Sequence, residues 1–371
     1  ATEEYSNSVY HEDKKTSENH TAILETAKKT IEGRNPVRLK EMYEQLLLND
    51  TVVKNYGTAK EIPGAVGMGF LKIDLDYWYT DQSNKPVVDL IRDYFSFAVR
   101  NVDGHTMIMV PFGQTFTDPK INKLILFDSS SRSLALEYIR ALEMRLFMII
   151  PCGKLRVTMI DPVDSGSNFS MFSCLGDDDE RIISTRIWCD PKRIKERLSL
   201  LINQIEHVNQ DCLRNEFEDI VAYNKHVGKN AEPLQALFVA DFPRHFDFEA
   251  CEMLEKIVSI GPKCGIYTFL AGSTEDIKAS KFDIKGISQA IQNFNYINKN
   301  IKYPFNKMEH NLQPISLPSK DEQTEILNVL INGIKTSDRI IIYFDEIADQ
   351  LTTHKEKWFK FNDANGIDIP I

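Results

Sequence analysis

A short polar turn carries the residues that are best suited to chemistry. The segment FDSSSRSL at 127–134 follows the apolar run KLILF and precedes a helical pattern that begins at Leu134. Hydroxyl groups and a guanidinium at the start of a helix could hold an anion, because the helix dipole and the first backbone amides favour negative charge there. The candidate ligands are Ser129, Ser130, Ser131, Arg132 and Ser133.

The alternative for the same turn is that Ser129 or Ser130 only caps the helix. A phosphate-binding loop of the GxxxxGKS or GxxxxGKT type occurs nowhere in the chain, and residues 127–134 hold neither glycine nor lysine. A phosphate cradle without glycine is sterically awkward, because the backbone must approach the ligand closely. The capping role is therefore favoured.

Polar residues also end other apolar runs. Asp241 closes ALFVAD, where a Walker B aspartate would hold Mg²⁺. Phe242 follows it, so the carboxylate that activates water in many such sites is absent, and the alternative is an aspartate that caps the next turn. Asp161, after LRVTMI, and Ser273, after IYTFLAG, are the other strand-end candidates.

The run RIIIYFDEIAD at 339–349 offers a second acidic strand end at Asp345 and Glu346. An apolar strand followed by an acidic residue is common by chance. No phosphate loop precedes this run at a suitable spacing. We favour a strand followed by a helical turn, with Asp345 as the cap.

No metal site is predicted. The eight histidines form no HxxxH or HExxH pattern, and the six cysteines form no CxxC pattern. Cysteines used in this way indicate reduced thiols in the core of a cytoplasmic protein. No apolar run approaches the ~20 residues of a membrane span, and the polar first thirty residues do not resemble a signal peptide.

Composition excludes several classes of protein. The chain has 371 residues, of which 42% are hydrophobic and 26% charged, so a mainly disordered chain, a collagen-like fibre and a disulfide-rich miniprotein are excluded. The length suits one large α/β domain with appendages, or two domains. A net charge of −10 argues against a nucleic-acid-coating protein, although it leaves room for a local basic channel.

Apolar strands alternate with amphipathic helices in the middle of the chain. This alternation predicts an α/β fold with a parallel sheet that is covered on both faces. Ligands of such sheets bind at the carboxyl ends of the strands, where the candidate residues lie. The predicted strands are 123–127, 155–161, 236–241 and 265–272, and the predicted helices are 134–150, 191–221 and 247–260.

The pattern is less regular on either side. Residues 21–54 predict a helix that is broken at Asn35-Pro36, and residues 57–69 predict a connector. The alternating segment FLKIDLDYWY from Phe70 predicts an edge or solvent-facing strand. Residues 276–335 show short helical patterns, ISQAIQNF and EQTEILNVLINGI, and no recognisable chemistry.

Four ordered segments suggest a family. LRVTMIDP (155–162) is similar to a strand that ends in Ile-Asp-Pro-Lys, with Val163 in place of the lysine. QIEHVNQDCLRNEFEDIVAYN (204–224) is similar to a long helix with an Arg-Asn…Tyr-Asn ending. ALFVADFPRHF (236–246) lies where a Walker B strand belongs, and SIGPKCGIYTFLAGS (259–273) resembles the helix and strand that follow it. Together they resemble the motor domain of FtsK/SpoIIIE-type DNA translocases, in the HerA–FtsK branch of RecA-like P-loop ATPases.

The resemblance implies an α/β, RecA-like three-layer sandwich with a mainly parallel sheet, preceded by a helical N-terminal segment. It divides the chain into a helical, partly disordered segment (1–56), an FtsK-like module (57–350) and a linker toward a following module (351–371), whose ending GIDIPI resembles the run-in to that module. The P-loop glycine and lysine are absent at 128–134. Phe242 replaces the Walker B glutamate, and Ser273 replaces the sensor glutamine.

These departures predict a degenerate, non-hydrolysing module that serves as a structural or regulatory part of a DNA-translocase-type ATPase assembly. Its expected partners are copies of itself or sister modules in a ring. DNA would be reached through the assembly, and ATP with Mg would be bound passively if at all. Direct DNA binding by the basic start of the helix at 191 is less favoured than a solvated helix face. That start carries Lys192, Arg193, Lys195 and Arg197.

Two alternatives stay open. An active ATPase with a non-standard site would require carboxylates to converge on residues 128–134, with Mg²⁺ held by them and phosphates held by the turn. A non-ATPase protein-binding scaffold is the third class, and the ordered series of matching segments argues against it. The residues of the non-standard site would be Ser131, Arg132 and Ser133 for phosphates, and Asp161, Asp241 or Asp345-Glu346 for Mg²⁺.

Overall fold

The structure is a computed structural model, and it describes 21–33, 40, 62–79, 85–102, 104–176, 182–183, 186–228, 231–280, 282–305, 308–337, 361–362 and 368–369. Residues 21–33 are helical, as predicted. The second half of the predicted N-terminal helix, the boundary at 56/57 and the pair Asp345-Glu346 lie outside the described residues.

One large mixed sheet contains ten strands of the described chain, in the order β2-β3-β1-β10-β9-β8-β4-β7-β6-β5. A separate two-stranded ladder pairs β11 with β12. The strands are β1 (Ala65–Asp74), β2 (Val99–Val102), β3 (His105–Thr115), β4 (Lys123–Phe127), β5 (Leu155–Ile160), β6 (Leu234–Phe242), β7 (Ile266–Ser273), β8 (Gln292–Ile297), β9 (Asn300–Phe305), β10 (Met308–Pro314), β11 (Phe361–Asn362) and β12 (Asp368–Ile369).

Helices connect the strands. They are α1 (21–33), α2 (Leu75–Tyr79), α3 (Lys85–Tyr94), α4 (Arg132–Ile149), α5 (Pro191–His207), α6 (Ile220–Val227), α7 (Phe248–Ile260), α8 (Thr274–Ala279), α9 (Lys285–Ala290) and α10 (Lys320–Ser337). Short 3₁₀ segments occupy Ser96–Ala98, Pro119–Ile121, Ser167–Leu175 and Gly261–Cys264, and a π-helical segment occupies Val208–Leu213.

Half of the large sheet is parallel. Strands β8, β4, β7, β6 and β5 run in the same direction, and β4 lies between β8 and β7. Every residue of β6 is buried, which a strand shows only when helices cover both faces of its sheet. The predicted fold class, a three-layer α/β sandwich with a parallel sheet, is confirmed for this half.

The two helical layers follow from the direction of the crossovers. Right-handed connections place α4, which joins β4 to β5, on one face, and α5, α7 and α9 on the other. Helix α7 contacts both α5 and α9. Helix α4 is buried on almost every side from Ala141 to Ile149. Phe172, in the 3₁₀ segment after β5, packs on Phe147 of α4, and α10 contacts the same 3₁₀ segment. One apolar core therefore spans the sheet and both layers.

Local capping fixes where several helices begin. Asp190, Asp219 and Asp247 each accept a backbone amide of the helix that follows, at the starts of α5, α6 and α7. Pro191 stands in the first turn of α5, where a missing N–H costs nothing. No helix in the described part of the chain is both long and apolar enough to cross a bilayer.

Four sequence predictions are wrong. The connector predicted over 57–69 becomes strand β1 from Ala65 onward. The strand predicted from Phe70 is not an edge, because β1 pairs with β3 on one side and β10 on the other, and it ends at Asp74, where α2 follows. The long helix predicted over 191–221 breaks at Arg214 and Asn215, whose φ angles of 46° and 60° no α-helix accommodates. The pattern ISQAIQNF is helical only to Ala290, and strands β8 to β10 follow. In each case sheet pairing or a local turn overrides a short periodic pattern.

Candidate functional site

The polar turn at 128–131 lies at the carboxyl edge of the parallel strands. It joins β4 to α4, and the ends of β5 and β6 bring further carboxylates to the same edge. Arg132, Asp161, Asp164, Asn168 and Asp241 form one hydrogen-bonded group, which we call the Arg132 cluster.

Arg132 and Asp241 form a two-pronged ion pair. The Nε and Nη2 atoms of Arg132 donate to Oδ1 and Oδ2 of Asp241 at 2.6 and 2.5 Å. The Asp241 side chain is only 5% exposed, and that of Arg132 is 35% exposed. Both carboxylate oxygens are therefore engaged in the geometry that a guanidinium fork favours. The hydrogen bonds that Arg132 donates to Asp241 are the main cause of the raised pKa of Arg132.

Asp164 is a second carboxylate partner of the same guanidinium. Its Oδ2 accepts from Nη2 of Arg132 at 2.5 Å and from Nδ2 of Asn168 at 2.9 Å. These two hydrogen bonds, that of Arg132 first, lower the pKa of Asp164. Arg132 thus bridges the loop after β5 to the end of β6.

Asp161 completes the cluster without touching Arg132. It is fully buried, and Asn168 donates to it through its backbone N–H and its Nδ2 at 3.0 Å each. Carboxylate oxygens of Asp161, Asp164 and Asp241 lie within 4.8 Å of one another, a spacing that could hold a metal ion. In this structure the guanidinium of Arg132 supplies the positive charge to two of the three.

Asp241 and Phe242 are the last two residues of β6, and their conformation and packing differ. Asp241 has a φ of 51°, in the left-handed region that aspartate tolerates better than most residues. The next side chain, Phe242, is fully buried and packs edge-to-face on Phe246, with ring centroids 5.4 Å apart. The position at which a hydrolytic glutamate would stand is thus part of the apolar core.

The serines of the turn do not form a joint pocket. Ser131 is fully buried, and its Oγ accepts from the backbone N–H of Lys299 at 3.0 Å. Ser130 donates to Asp128 at 2.8 Å, whereas Ser129 and Ser133 are exposed. The residue at the cap position of α4 is Ser131, whose side chain makes no capping bond. The expectation that Ser129 or Ser130 caps this helix is therefore wrong.

A β-hairpin covers the turn. The tip between β8 and β9 donates the backbone N–H of Asn298 to Asp128 at 3.0 Å and that of Lys299 to Ser131. The amide of Asn298 is the largest of the hydrogen bonds that lower the pKa of Asp128 to about 2. The carboxylate of Asp128 and the hydroxyl of Ser131 are therefore engaged within the chain.

Ser273 has a structural role in the described contacts. Its Oγ accepts from the backbone N–H of Asp276 at 3.2 Å and so caps α8. The next residue, Thr274, donates to the carbonyl of Phe127 at 3.2 Å and ties the ends of β7 and β4 together. Ser273 is not a member of the Arg132 cluster.

Two of the predicted candidates, Arg132 and Asp241, are thus in direct contact, and Asp161 lies beside them. Sequence reasoning missed Asp164 and Asn168. The available signal was the loop DPVDSGSN, in which Asp164 follows Asp161 by three residues, a spacing typical of a turn that returns to its own first carboxylate. No pattern in the sequence predicts that the hairpin between β8 and β9 contacts this turn.

Comparison with known proteins gives structural likeness only. No protein-family model matches the chain, and no curated protein matches its sequence. The chain is similar to EssC (ATPases 2 and 3) from Geobacillus thermodenitrificans, with a TM-score of 0.49 and 10% identity over 79% of this chain and 50% of that chain. It is also similar to the cytoplasmic domain of the Thermomonospora curvata type VII secretion ATPase EccC, with a TM-score of 0.46 and 13% identity over 61% of this chain and 30% of that chain.

A third similar structure is the pCW3 conjugation coupling protein TcpA in a monomer form with ATPγS. Its TM-score is 0.41 and its identity 9%, over 77% of this chain and 99% of that chain. The chain spans half of the EssC structure and less than a third of the EccC structure. These likenesses concern the general α/β fold alone, and the chemistry of the site rests on the contacts described above.

Proposed function

We propose that this chain is a degenerate, non-hydrolysing FtsK/SpoIIIE-like P-loop module with a structural or regulatory role in a larger ATPase assembly. The observation that carries the proposal is the two-pronged ion pair between Arg132 and Asp241. It joins the turn that stands at the P-loop position to the aspartate that stands at the Walker B position.

The ion pair opposes metal binding for an electrostatic reason. A Walker B aspartate acts by holding Mg²⁺ through its carboxylate oxygens. Here both oxygens of Asp241, whose side chain is only 5% exposed, accept from Arg132. A magnesium ion would have to displace an internal cation that is always charged and well oriented. The guanidinium therefore replaces the metal as the counter-charge.

Hydrolysis needs two further features. Phosphoryl transfer depends on positive charge around the γ-phosphate and on a residue that orients the attacking water. The turn at 128–134 has no lysine, and Phe242 is buried where the water-orienting carboxylate would stand. The contacts of Asn298 and Lys299 also occupy polar groups of the turn. Together these features support a module that does not turn over nucleotide.

We further propose that the module acts through sister modules or copies of itself, within the division 1–56, 57–350 and 351–371. DNA would be reached only through such an assembly. Two of the cations at the start of α5 are engaged within the chain: Lys195 pairs with Asp247 and Glu249, and Arg197 donates to Thr158 at 3.2 Å. A free basic stripe for phosphates is therefore less favoured on this helix.

One observation favours a second candidate, an ATPase with a non-standard site that uses ATP and Mg²⁺. Three carboxylates do converge beside the turn, within 4.8 Å of one another. If Arg132 turned outward toward a phosphate, Asp161, Asp164 and Asp241 would be left to hold a metal ion.

Calorimetric titration of the chain with ATP and Mg²⁺ separates the two candidates. The degenerate module predicts no saturable heat for the unmodified chain, and none for Arg132→Ala. The non-standard ATPase predicts binding that Arg132→Ala and Asp241→Ala both abolish, whereas Arg244→Ala does not. Arg244 is the matched control because it makes the same two-pronged contact with Asp276, at 2.8 and 2.7 Å, but is 58% exposed. Saturable binding with that pattern, accompanied by release of inorganic phosphate from ATP, would overturn the proposal. Binding without phosphate release would make the module a passive, non-hydrolysing nucleotide-binding unit.

A further inference from the structure

A second group of chemically active side chains lies away from the Arg132 cluster. His207 ends α5, Cys212 lies in the π-helical segment that follows, and Glu232 precedes β6. One imidazole nitrogen, the thiol sulfur and one carboxylate oxygen of these residues lie within 4.8 Å of one another. With Asp211 we call them the His207 cluster.

The π-helical segment is what brings His207 and Cys212 together. In an α-helix, residues five apart point about 140° away from each other, because each residue turns the helix by about 100°. A π-turn bonds residue i to residue i+5 and places the two on one side. The backbone N–H of Arg214 donates to the carbonyl of Asn209 at 3.2 Å, which is a bond of this type. The segment therefore aligns a nitrogen and a sulfur ligand that an ordinary helix would separate.

Asp211 orients the imidazole of His207. Its Oδ2 lies 2.7 Å from Nδ1, so Nδ1 carries the proton and donates to the carboxylate. In the neutral ring Nε2 then carries the lone pair, and Oε1 of Glu232 lies 3.9 Å from this nitrogen. Carboxylate–histidine pairs of this kind hold metal-binding imidazoles in place and fix their tautomer.

The backbone of Glu232, not its carboxylate, makes the hydrogen bonds that fix its position. Asn224 accepts from the N–H of Glu232 and donates to its C=O, both at 2.8 Å. Its carboxylate remains free to face His207 and is 30% exposed, while the His207 side chain is 45% exposed. Cys212 is buried at 4% exposure, so the cluster has a closed sulfur side and an open side toward solvent.

We propose that the His207 cluster is a zinc-type divalent metal site, with Nε2 of His207, Sγ of Cys212 and a carboxylate oxygen of Glu232 as ligands, and Asp211 as the residue that positions the histidine. Mixed sulfur, nitrogen and oxygen ligands select zinc over Mg²⁺ or Ca²⁺. A thiolate and a carboxylate would balance the two charges of the ion. The open side leaves a fourth position to water or to a ligand from another chain.

The ligand atoms lie within 4.8 Å of one another and must move closer when a metal binds. Tetrahedral ligands at about 2.1 Å from the metal stand about 3.4 Å apart, compared with 3.9 Å between Nε2 of His207 and Oε1 of Glu232. Only the thiolate form of a cysteine binds a metal, so binding of Zn²⁺ would displace the thiol proton of Cys212.

The test is titration of the untagged chain with Zn²⁺ against a chromophoric chelator, followed by Co²⁺ spectroscopy. One Zn²⁺ per chain and a thiolate-to-Co²⁺ charge-transfer band are expected. His207→Gln and Cys212→Ala should each weaken binding by at least about 100-fold, and Asp211→Asn by about 10- to 100-fold. His226→Gln and Cys251→Ala, an exposed histidine and a buried cysteine outside the cluster, should leave the affinity unchanged.

Three outcomes would overturn the site. They are the absence of stoichiometric Zn²⁺ binding, binding that His207→Gln leaves intact, or Co²⁺ binding without a thiolate band. The first would leave His207 with a structural role only, in its contacts with Asp211 and Glu232. If Cys212→Ala does not fold, His207→Gln decides the question, because His207 lies at the surface and its loss opens no cavity in the core.

Discussion

Replacing Arg132 by alanine leaves the carboxylate of Asp241 buried without its main partner. The Asp241 side chain is 5% exposed and accepts two hydrogen bonds from Arg132. Removing one partner of a buried ion pair costs about 3–5 kcal/mol, because the other charge stays desolvated. Arg132 is 35% exposed, so water can enter the vacated space. We therefore expect Arg132→Ala to lower the free energy of unfolding by about 2–4 kcal/mol.

The matched control is Arg244→Ala. Arg244 makes the same two-pronged contact with Asp276, but its side chain is 58% exposed and that of Asp276 is 25% exposed. Exposed pairs contribute up to about 1 kcal/mol, so this variant should cost less than half as much. The double variant Arg132→Met with Asp241→Asn should recover most of the loss, because it removes both charges together.

Urea unfolding followed by far-UV circular dichroism measures all three variants, with the slope of the transition as a check that the same surface is exposed. Equal losses for Arg132→Ala and Arg244→Ala would refute the reasoning, since burial would then not set the cost. A double variant that is no more stable than Arg132→Ala would refute it as well. In that case the loss would come from packing of the arginine side chain rather than from the stranded charge.

Three further predictions concern single ionisable groups, each checked by the free energy of unfolding or the thermal midpoint as a function of pH. Glu143 is fully buried in α4, and neither of its carboxylate oxygens has a hydrogen-bond partner in the described structure, so burial raises its pKa well above the usual value. The folded state keeps this proton to a higher pH than the unfolded chain, so the free energy of unfolding should fall as the pH rises from about 4.5. Glu143→Gln should remove this decline. An unchanged dependence of stability on pH would contradict the raised pKa of Glu143. Burial, beside the rings of Phe112 and Phe294, lowers the pKa of Lys123 to about 7. The unfolded chain therefore binds the proton more strongly, and the free energy of unfolding should rise between pH about 7 and about 10. Lys123→Met should abolish that rise. A rise that persists in this variant would show that another group causes it. Asp128, with a pKa of about 2, should stabilise the fold above pH about 4 and lose that effect as the pH falls toward about 2; Asp128→Asn should flatten the acid side of the profile, and an identical acid transition would show that the hairpin contact does not matter.

Much of the parallel half could be predicted because its signals are local. Strands β4 to β7 are short apolar runs, and α4, α5 and α7 have apolar residues at helical spacing, so each element is encoded within about ten to twenty residues. The strands that follow β7 were not predicted in the same way. Strands β8 to β10 lack a continuous apolar pattern, and β8 is specified by its pairing with β4 about 170 residues earlier in the chain.

For the candidate site, too, the sequence predicts the residues but not the contacts between them. The identities of Arg132, Asp161 and Asp241, their places at strand ends, and the missing glycine and lysine are all visible in the printed sequence. The sequence does not show that Arg132 reaches Asp241 across 109 residues, or that Asp164 shares the same guanidinium. Those contacts require that β6 and β5 lie beside β4 and β7 with their carboxyl ends at one edge.

The sequence by itself therefore determined the fold class of the parallel half and the loss of the usual phosphate-binding and hydrolytic residues. Hydrophobic periodicity and residue identity are properties of neighbours along the chain. Only the tertiary structure decided that an internal arginine neutralises the buried aspartate, that a hairpin engages the turn, and that a π-helical segment joins His207 to Cys212. Such contacts depend on strand order and on a single backbone irregularity, which no local pattern encodes.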